Sequence, residues 1–513
     1  MKLFPAGLEK DYSDKKKRKL ISSLLLGNRF RSDQTLYEYL IEFLLVFSSA
    51  KDSDLETGKN EFHSGVIEGE LNYWVEPRMA LRRFVFYDKS RKNGTIKADE
   101  YAYKDMMNIL MNRMENIGKE SKEEYLEGIQ DLFHGYAVVI KNRFWGAQAL
   151  LPICPEFMFC GCDPNEKNRR DKVKYEDGDK IKVDTEFNFT KRNFLSRGGE
   201  VYYLHLLQGL EGIPKKKKIL EDLLRDMVIV QCKKISKMAR FIQESWEEDM
   251  EFDKHKLYQK LSVSFIPENA YVGCEKNSID ELINYLSCKI HPINRVDILA
   301  KGVMFQILRM MSYAVANELG EKPKKWIVDM RGKTSTDTVK KLSAESFRSV
   351  EDDFMTVLNS IAVKLGLSGD ESMDAVRKAK KDSLDIFRSK GKELQCIIPA
   401  NGPFERFSLS EDVIRFLVLA LIEPQEKMTL DMFLEKLYEN YNIVIGPVEY
   451  KKMQGEENEL KENELKENLT NSFNENVIAF SSFLKATGFL RELSDATSIV
   501  VNPYTRVSVE DEL

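Results

Sequence analysis

The sequence predicts an α+β protein that is predominantly α-helical and contains several domains. Its length of 513 residues exceeds what a single hydrophobic core usually organises. Apolar residues recur at helical spacing over long stretches, whereas stretches with the alternation typical of strands are short. Hydrophobic residues form 42% of the chain and aromatic residues 10%, which is enough to build ordinary cores. We therefore expect a folded protein with more helix than strand.

Residues 1–214 are predicted to form an N-terminal domain of mixed α and β structure. The segment 34–50 is apolar around most of a helix, which is typical of a buried element. The aromatic segment 84–87 predicts a short strand before an Asn-Gly turn. A hairpin is predicted near 172–183, where residues alternate on both sides of an Asp-Gly turn.

The rest of the chain is predicted to form two further domains. A lysine run at 215–218 marks a boundary, and residues 215–400 predict an α-helical domain with its longest apolar helix at 295–320. Residues 397–410 are interpreted as a linker into the last domain, at 405–504.

The charge balance restricts how the protein can contact nucleic acid. The chain has 78 basic and 83 acidic residues, which gives a formal net charge of −5. A protein that coats nucleic acid along its length is normally basic overall. Any contact with nucleic acid is therefore expected to be local.

Targeting signals and cysteine usage predict the compartment. The first 19 residues lack an apolar stretch before their basic run, so they do not resemble a secretory signal. The most apolar runs, 40–47 and 413–422, are shorter than the roughly 20 residues that span a bilayer. Seven cysteines, an odd number, predict reduced thiols. We expect a cytoplasmic protein without a membrane partner.

Residues 410–504 predict helix, helix, helix, strand, turn and strand. Ser410 and Thr429 are placed to cap the first two helices, and the third runs from about Asn474 or Asn476 to Gly488. This order resembles the winged-helix fold, and the resemblance identifies no family. It departs from the compact pattern by a charged insertion near 451–474, which is interpreted as a solvated extension.

The winged-helix resemblance implies a binding surface on the third helix and the wing. In winged-helix proteins that bind DNA, this helix enters the major groove and the wing touches phosphates. Here the helix is expected to expose Asn476 and Lys485, and the wing Arg491. Phosphate contacts need several positive charges, so one lysine and one arginine favour a protein partner. Double-stranded DNA stays open as a partner if another basic surface contributes.

The hairpin near 172–183 is the candidate for that second basic surface. The basic residues on one face of the hairpin are Lys172, Lys174, Lys180 and Lys182, and Arg169 and Arg170 lie just before the hairpin. These residues can contact phosphates. Lysines on an exposed strand also prevent edge-to-edge aggregation, so both interpretations stay open.

Two short motifs suggest bound ions. Arg197, Gly198 and Gly199 open a predicted helix, and consecutive backbone amides at a helix start can bind an anion. The alternative is a tight turn that glycine permits. Three nearby cysteines, Cys154, Cys160 and Cys162, are best interpreted as buried thiols, with zinc as a minority hypothesis because a fourth ligand and paired spacing are missing. No other cofactor is expected.

Catalytic and nucleotide-binding signatures do not emerge from the sequence. His205 follows apolar residues on a predicted helix, which indicates a hydrogen-bonded core histidine. The segment 329–335 contains Gly-Lys-Thr after a predicted strand, but Ile327 stands where a P-loop needs its first glycine. No nucleotide is therefore expected, and no catalytic residue is assigned.

These observations favour a non-catalytic adaptor or scaffold subunit of a multiprotein complex that acts on nucleic acid, as in bacterial DNA-processing or phage-defence systems. Other protein subunits are the expected partners. Two alternatives stay open. The first is direct, sequence-tolerant DNA binding by the winged helix and the lysine hairpin, and the second is an unrecognised enzyme in the N-terminal half.

Overall fold

A computed structural model describes sixteen stretches of the chain: residues 2–5, 8–9, 21–27, 30–31, 34–63, 71–76, 78–90, 97–115, 118–138, 149–160, 197–249, 258–263, 265–332, 338–457, 466–494 and 497–507. The fold is predominantly α-helical with short strands, which confirms the coarser part of the fold prediction. The helices span Ile21–Leu26, Leu36–Ser48, Met79–Ser90, Lys97–Arg113, Lys119–His134, Pro155–Phe159, Gly198–Gly209, Pro214–Arg225, Lys233–Asp249, Glu275–Leu286, Pro292–Leu319, Thr338–Lys364, Gly369–Lys381, Leu384–Glu393, Glu411–Leu421, Leu430–Tyr441, Pro447–Glu457 and Lys466–Ala486, with a π-helical turn at Asp226–Val230.

The strands form small sheets. Antiparallel pairing joins Leu8–Glu9, Lys2–Phe4 and Ile266–Pro267 in one sheet, Asn72–Val75 and Gln259–Ser262 in a second, Ile397–Ile398 and Arg406–Phe407 in a third, and Leu490–Ser494, Thr497–Val501 and Lys427–Thr429 in a fourth. Parallel pairing joins Trp326–Ile327 and Ile443–Val444. Within the described residues these sheets are too small to form a layer of their own, so helices supply most of the core.

The chain divides into two compact units. The larger unit contains Met1–Ser32, Leu204–Leu223 and Ser264–Leu513, and the smaller unit contains Asp33–Tyr203 and Leu224–Val263. A compact unit in space need not be a segment that folds alone. The three predicted domains therefore stay a prediction.

The core of the larger unit surrounds the helix Pro292–Leu319, which confirms the long apolar helix expected at 295–320. Among the described residues it is the one helix long and apolar enough to cross a membrane, and 89% of its most apolar window is buried. Helices Glu275–Leu286 and Glu411–Leu421 pack against each other, and the second also packs on the central helix. Gly302 permits that contact, because a Cβ there would lie 2.2 Å from a ring carbon of Phe416.

A buried polar network crosses this core. Arg309 and Glu281 form a two-pronged ion pair, with Nη1–Oε1 at 2.7 Å and Nη2–Oε2 at 2.8 Å. Gln306 donates to Glu281 at 2.8 Å, and Nε2 of His205 lies 2.8 Å from Oγ of Ser278. Burial, reinforced by the Arg309 charge, lowers the pKa of His205 to about 3, so the ring is neutral. The prediction that His205 is a hydrogen-bonded core residue is confirmed.

The core of the smaller unit includes the helix Leu36–Ser48, which confirms the buried helix expected at 34–50. Thr35 and Glu38 cap its start reciprocally, with the Thr35 amide donating to Glu38 Oε2 at 2.7 Å. The strand expected at 84–87 is wrong, since these residues lie in the helix Met79–Ser90. The buried residues Ala80, Leu81, Phe84 and Val85 explain the outcome, because their spacing is helical.

A segment interpreted as a linker and another interpreted as a solvated extension both contribute to the core of the larger unit. The linker expected at 397–410 is wrong, because it forms a β-hairpin in which buried Ile397 lies opposite buried Phe407. The insertion near 451–474 is helical at both ends, and Phe473 stacks on Tyr450 with ring centroids 4.6 Å apart in a buried cluster. Residues 458–465 lie outside the described residues.

Candidate functional site

The C-terminal part of the larger unit forms a helical cluster with a three-stranded sheet. In chain order its elements are Glu411–Leu421, Lys427–Thr429, Leu430–Tyr441, Pro447–Glu457, Lys466–Ala486, Leu490–Ser494 and Thr497–Val501. The last strand is central, with Ile499 paired to Thr429 on one side and to Arg491 on the other. The helix Lys466–Ala486, the terminal helix, leads directly into the hairpin of the last two strands, the terminal hairpin.

The predicted caps are present. Oγ of Ser410 accepts from the amide of Val413 at 3.4 Å, and Oγ1 of Thr429 accepts from the amide of Met432 at 3.3 Å. Each side chain satisfies an amide that the first helical turn leaves unpaired. The predicted starts of the first two helices are therefore confirmed.

The outer face of the terminal helix is nearly neutral and partly apolar. Ile478 is 65% exposed and Phe483 is 37% exposed. The Nζ of Lys485 lies 2.9 Å from Oε2 of Glu492 on the terminal hairpin. The hydroxyls of Ser481 and Ser482 donate to carbonyls one turn earlier in the same helix. This face therefore offers few groups for phosphate contacts.

The sequence predicts Asn476 on the exposed side of the terminal helix, and this prediction is wrong. Its side chain is fully buried, and Oδ1 accepts from the amide of Met330 at 2.8 Å. Nδ2 donates to the carbonyls of Val328 and Ile445, both at 2.9 Å. An asparagine amide has both donors and acceptors, so it can pair with main-chain N–H and C=O groups just beyond the ends of a two-stranded sheet. Asn476 thus anchors the terminal helix from inside.

The terminal hairpin adds one positive charge and one apolar side chain. Arg491 is exposed, and Leu493 is 66% exposed beside a break in the strand register. In the part of these two elements whose side chains are described, the basic residues are Lys485 and Arg491. Positive charges on this surface are therefore few.

The lysine hairpin cannot be placed against this surface. Lys172, Lys174, Lys180, Lys182, Arg169 and Arg170 lie outside the described residues. The other lysine run begins the helix Pro214–Arg225, where Lys216 pairs with Asp280 at 2.5 Å and Lys218 with Asp222 at 3.1 Å. A nucleic-acid role for the lysine hairpin stays a prediction.

The predicted anion motif binds a carboxylate of the chain itself. Oε1 and Oε2 of Glu42 accept from the amides of Arg197 and Gly199 at 2.7 and 2.8 Å. Arg197 has a φ of 71°, which turns the chain into the helix. A Cβ on Gly199 would lie 2.4 Å from the carbonyl oxygen of Tyr39, so the glycine permits close packing of two helices. Glu42 therefore serves as a side-chain cap for the helix Gly198–Gly209.

Sequence reasoning missed Glu42, although a signal was present. Glu38 and Glu42 are the charged residues in the otherwise apolar segment 36–48. Charged side chains in a helix that is apolar on its other sides need buried partners. The partners could not be identified from spacing, because Gly199 lies far away in the sequence.

The cysteine motif is buried where it is described. Cys154 and Cys160 are free thiols with almost no exposure, and burial raises the pKa of Cys160 to about 12 and that of Cys154 well above its ordinary value. In the part of the chain that the structure describes, no group of three or more His, Cys, Asp or Glu side chains is placed to hold a metal ion. Cys162 lies outside that part, so zinc stays a hypothesis.

The Gly-Lys-Thr segment begins at a buried junction. Asp329 is fully buried and accepts from Nε of Arg406 at 2.7 Å, and the carbonyl of Gly332 accepts from Nη2 of Arg406 at 3.0 Å. Arg331 pairs with Glu475 of the terminal helix. The beginning of this segment therefore holds the larger unit together, and residues 333–335 lie outside the described residues.

Lys51 is an unusual group that sequence reasoning also missed. Its Nζ is buried and donates to the carbonyls of Ser49 at 2.6 Å, Gly58 at 3.1 Å and Phe47 at 3.3 Å. Burial lowers its pKa to about 7 against a smaller opposing effect of Glu61. A lysine with a lowered pKa can act as a base or nucleophile, but this one is enclosed by main-chain acceptors. Its geometry indicates a structural role for the loop that follows it.

Comparison with protein-family models, with curated proteins and with solved structures found no match to this chain. The function is therefore inferred from its own residues. Within the described residues, the terminal helix and terminal hairpin leave Ile478, Phe483 and Leu493 exposed on the C-terminal part of the larger unit.

Proposed function

We propose that the protein is a non-catalytic adaptor or scaffold subunit, and that residues 410–504 are a winged-helix domain that docks a protein partner. We further propose that its complex acts on nucleic acid in the cytoplasm, as in bacterial DNA-processing or phage-defence systems. The observation that carries the docking proposal is the outer face of the terminal helix, where Ile478 is largely exposed and Lys485 is paired with Glu492.

The order and pairing of the elements support the winged-helix proposal. The terminal helix is followed by two antiparallel strands in the position of a wing, and the short strand Lys427–Thr429 completes the sheet. The caps at Ser410 and Thr429 begin the two preceding helices where the resemblance requires them. The additional helix Pro447–Glu457 is an elaboration of the pattern.

The charges favour a protein over DNA at this surface. Phosphate contacts supply much of the affinity for DNA, and each requires a positive or donor group directed outward. Here Lys485 is neutralised by Glu492, while Ile478 and Leu493 present apolar area. Depletion of charged residues around apolar ones is a compositional signal of the core of a protein interface.

The docking proposal is tested by changing the apolar face alone. Ile478→Asp is expected to remove the protein from its native multisubunit assembly, as judged by size-exclusion chromatography of the tagged complex from its source cells. Met373→Asp is the matched control, because Met373 is 66% exposed on a different helix of the same unit. Retention of the assembly by Ile478→Asp would contradict docking through this face.

Direct DNA binding is tested by fluorescence anisotropy with labelled duplex DNA and the full chain at several salt concentrations. The variants are Lys485→Ala with Arg491→Ala, and separately alanine at the four lysines of the predicted hairpin. We expect the first variant to leave any DNA affinity unchanged. Binding that weakens steeply with salt and is reduced by the first variant would assign the terminal surface to DNA instead.

A further inference from the structure

The hairpin Ile397–Phe407 presents an exposed aromatic side chain on a fixed stem. Its strands pair antiparallel, with Ile397 opposite Phe407 and Ile398 opposite Arg406. Residues 399–405 form the tip, and Phe404 within the tip is 66% exposed. An exposed aromatic residue in an otherwise ordered hairpin calls for an explanation.

Buried contacts fix the stem. The ring of Phe407 stacks on Trp326 with centroids 4.7 Å apart, and its carbonyl accepts from Oγ of Ser343 at 3.0 Å. The neighbouring Arg406 donates to the buried Asp329 at 2.7 Å. Two successive residues are thus held by stacking, hydrogen bonding and an ion pair. The tip is therefore presented from a rigid base.

Most of the tip is uncharged in a strongly charged protein. Residues 399–404 read Pro-Ala-Asn-Gly-Pro-Phe, whereas 31% of the whole chain is charged. The adjoining Glu405 forms ion pairs with Arg388, whose Nε lies 2.9 Å from Oε2, and with Lys392. The carboxylate next to Phe404 is therefore neutralised by its own neighbours, and the tip offers apolar and neutral polar area.

The backbone of Phe404 is strained. Its φ is 68°, in the left-handed region that a bulky L side chain rarely adopts. Glycine adopts this conformation readily, so a glycine would suit the turn better on local grounds. Side chains that remain in such a conformation cluster at binding and switch regions. Strain and exposure thus occur at the same aromatic residue.

We infer that Phe404 is an anchor that inserts into an apolar pocket on a protein partner. Rigid aromatic side chains dominate the energetics of protein interfaces because they bury a large area at small entropic cost. Stacking on nucleic-acid bases is the competing use of an exposed aromatic, but it normally accompanies positive charges that hold the phosphates. The tip, residues 399–405, contains no lysine or arginine. The inference does not depend on docking by the terminal helix.

Site-specific photocrosslinking in the source cells identifies what Phe404 touches. The photoreactive residue p-benzoylphenylalanine replaces Phe404 in the full chain, and Met373 in a control chain with the same fractional exposure of the native residue. We expect one discrete crosslinked polypeptide from position 404 that is absent from position 373. Crosslinks that are the same at both positions, or none at position 404, would overturn the inference.

The affinity for the crosslinked polypeptide then distinguishes a residue that contributes binding energy from one that only lies near the partner. The crosslinked polypeptide, produced separately, is titrated against the full chain by calorimetry. We expect Phe404→Gly to weaken the Kd at least about tenfold, as for an interface hot spot, and Phe404→Tyr to retain most of the affinity. An unchanged Kd for Phe404→Gly would overturn the anchor.

Two further measurements distinguish the loss of a protein contact from unfolding and from a role in nucleic-acid binding. The melting temperature of Phe404→Gly is expected to stay the same or rise, because glycine relieves the left-handed strain, so lost binding cannot come from unfolding. Anisotropy with single-stranded and duplex DNA is expected to be insensitive to Phe404→Gly, and a loss there would assign the residue to nucleic acid. Ile478→Asp is tested in parallel, so that failure of terminal-helix docking and failure of the anchor are read separately.

Discussion

The sequence predicts binding sites on two helices. In both, the polar groups of the predicted site pair with groups of the chain itself, but the outer faces of the two helices differ. At the start of Gly198–Gly209, the amides expected to hold an external anion hold Glu42. In Lys466–Ala486, the asparagine expected to face a partner binds main-chain groups inside the unit. The second helix nevertheless keeps an exposed face with Ile478, while the first is packed closely on its neighbour at Gly199.

Comparing the two helices shows which sequence patterns are good evidence of a binding surface. Unpaired main-chain groups are costly when buried, so a nearby polar side chain is often used to satisfy them. A motif rich in hydrogen-bonding groups is therefore ambiguous between a ligand site and a structural cap. Exposed apolar side chains left after these internal pairs form are better evidence of a contact surface, and this evidence is strongest where several occur together.

The largest expected effect is that of Glu42→Ala on stability. The change removes a charged acceptor and leaves the amides of Arg197 and Gly199 without it, which is expected to lower the free energy of unfolding of the smaller unit by about 3 kcal/mol. Urea denaturation monitored by fluorescence measures the change in the free energy of unfolding. Glu127→Ala on an exposed helix face is the control and is expected to have little effect.

The same variant sharpens the anion prediction. The amides of Arg197 and Gly199 can bind an external anion only if they stay accessible once Glu42 is removed. In that case acetate or phosphate should raise the free energy of unfolding of Glu42→Ala more than it raises that of the wild type. Equal effects of these anions on both proteins would show that the amides serve the internal carboxylate alone.

Asn476→Ala is expected to have the next largest effect. It removes one acceptor and two donors from buried main-chain groups at Met330, Val328 and Ile445, and about 2 to 3 kcal/mol of stability should be lost. Thermal unfolding measures it, with Asn474→Ala as the control because Asn474 is exposed on the same helix. If both variants behave alike, the anchoring role of Asn476 is wrong.

The sequence was sufficient for elements whose pattern is strong and local. The helix Pro292–Leu319 follows from its apolar spacing, and the helix starts after Ser410 and Thr429 follow from their caps. The strand expected at 84–87 failed because aromatic residues fit both a strand and a buried helix face. Local preference could not decide between them, since the choice depends on distant packing partners.

The candidate sites were harder to predict because their partners are distant in sequence. Spacing along the chain could not show that Glu42 meets Gly199 or that Asn476 meets Val328. The hairpin at 397–407 resembles a linker in sequence because its turn residues are conspicuous, whereas the stacking of Phe407 on Trp326 is not visible in the pattern. Neutralisation of Lys485 by Glu492, in contrast, was foreseeable from acidic residues in the expected wing.

A pH titration extends the comparison to Lys51, a third polar group used internally. Its pKa is lowered to about 7, whereas in the unfolded chain it is near 10.5, so the unfolded state binds more protons between these values. The contribution of Lys51 to the free energy of unfolding should therefore rise by about 1 kcal/mol per pH unit between pH 8 and 9.5. Buried thiols such as Cys160, whose pKa is raised to about 12, act in the opposite direction above pH 8.5, about the ordinary thiol value.

The readout is the difference in slope between the wild type and Lys51→Met, measured by denaturation at several pH values, since the thiols contribute equally to both. Lys59→Met is the control, because it removes a lysine from the same loop and leaves the three main-chain contacts of Lys51 in place. A slope that Lys51→Met leaves unchanged would show that Lys51 stays protonated in the folded protein, held by the carbonyls of Phe47, Ser49 and Gly58.

The smallest expected effect is that of Lys485→Ala, and it bears most directly on the contact surface. Both partners of the Lys485–Glu492 pair are more than half exposed, so the loss of stability should be below about 0.5 kcal/mol. Since Glu492 already neutralises Lys485, the Lys485→Ala change should also leave the affinity for duplex DNA and the salt dependence of that affinity unchanged. A decrease in the salt slope of about one unit would instead mean that Lys485 leaves Glu492 to contact a phosphate. The outer face of the terminal helix would then bind DNA, and the exposed Ile478 would lie beside the groove and not in a protein interface.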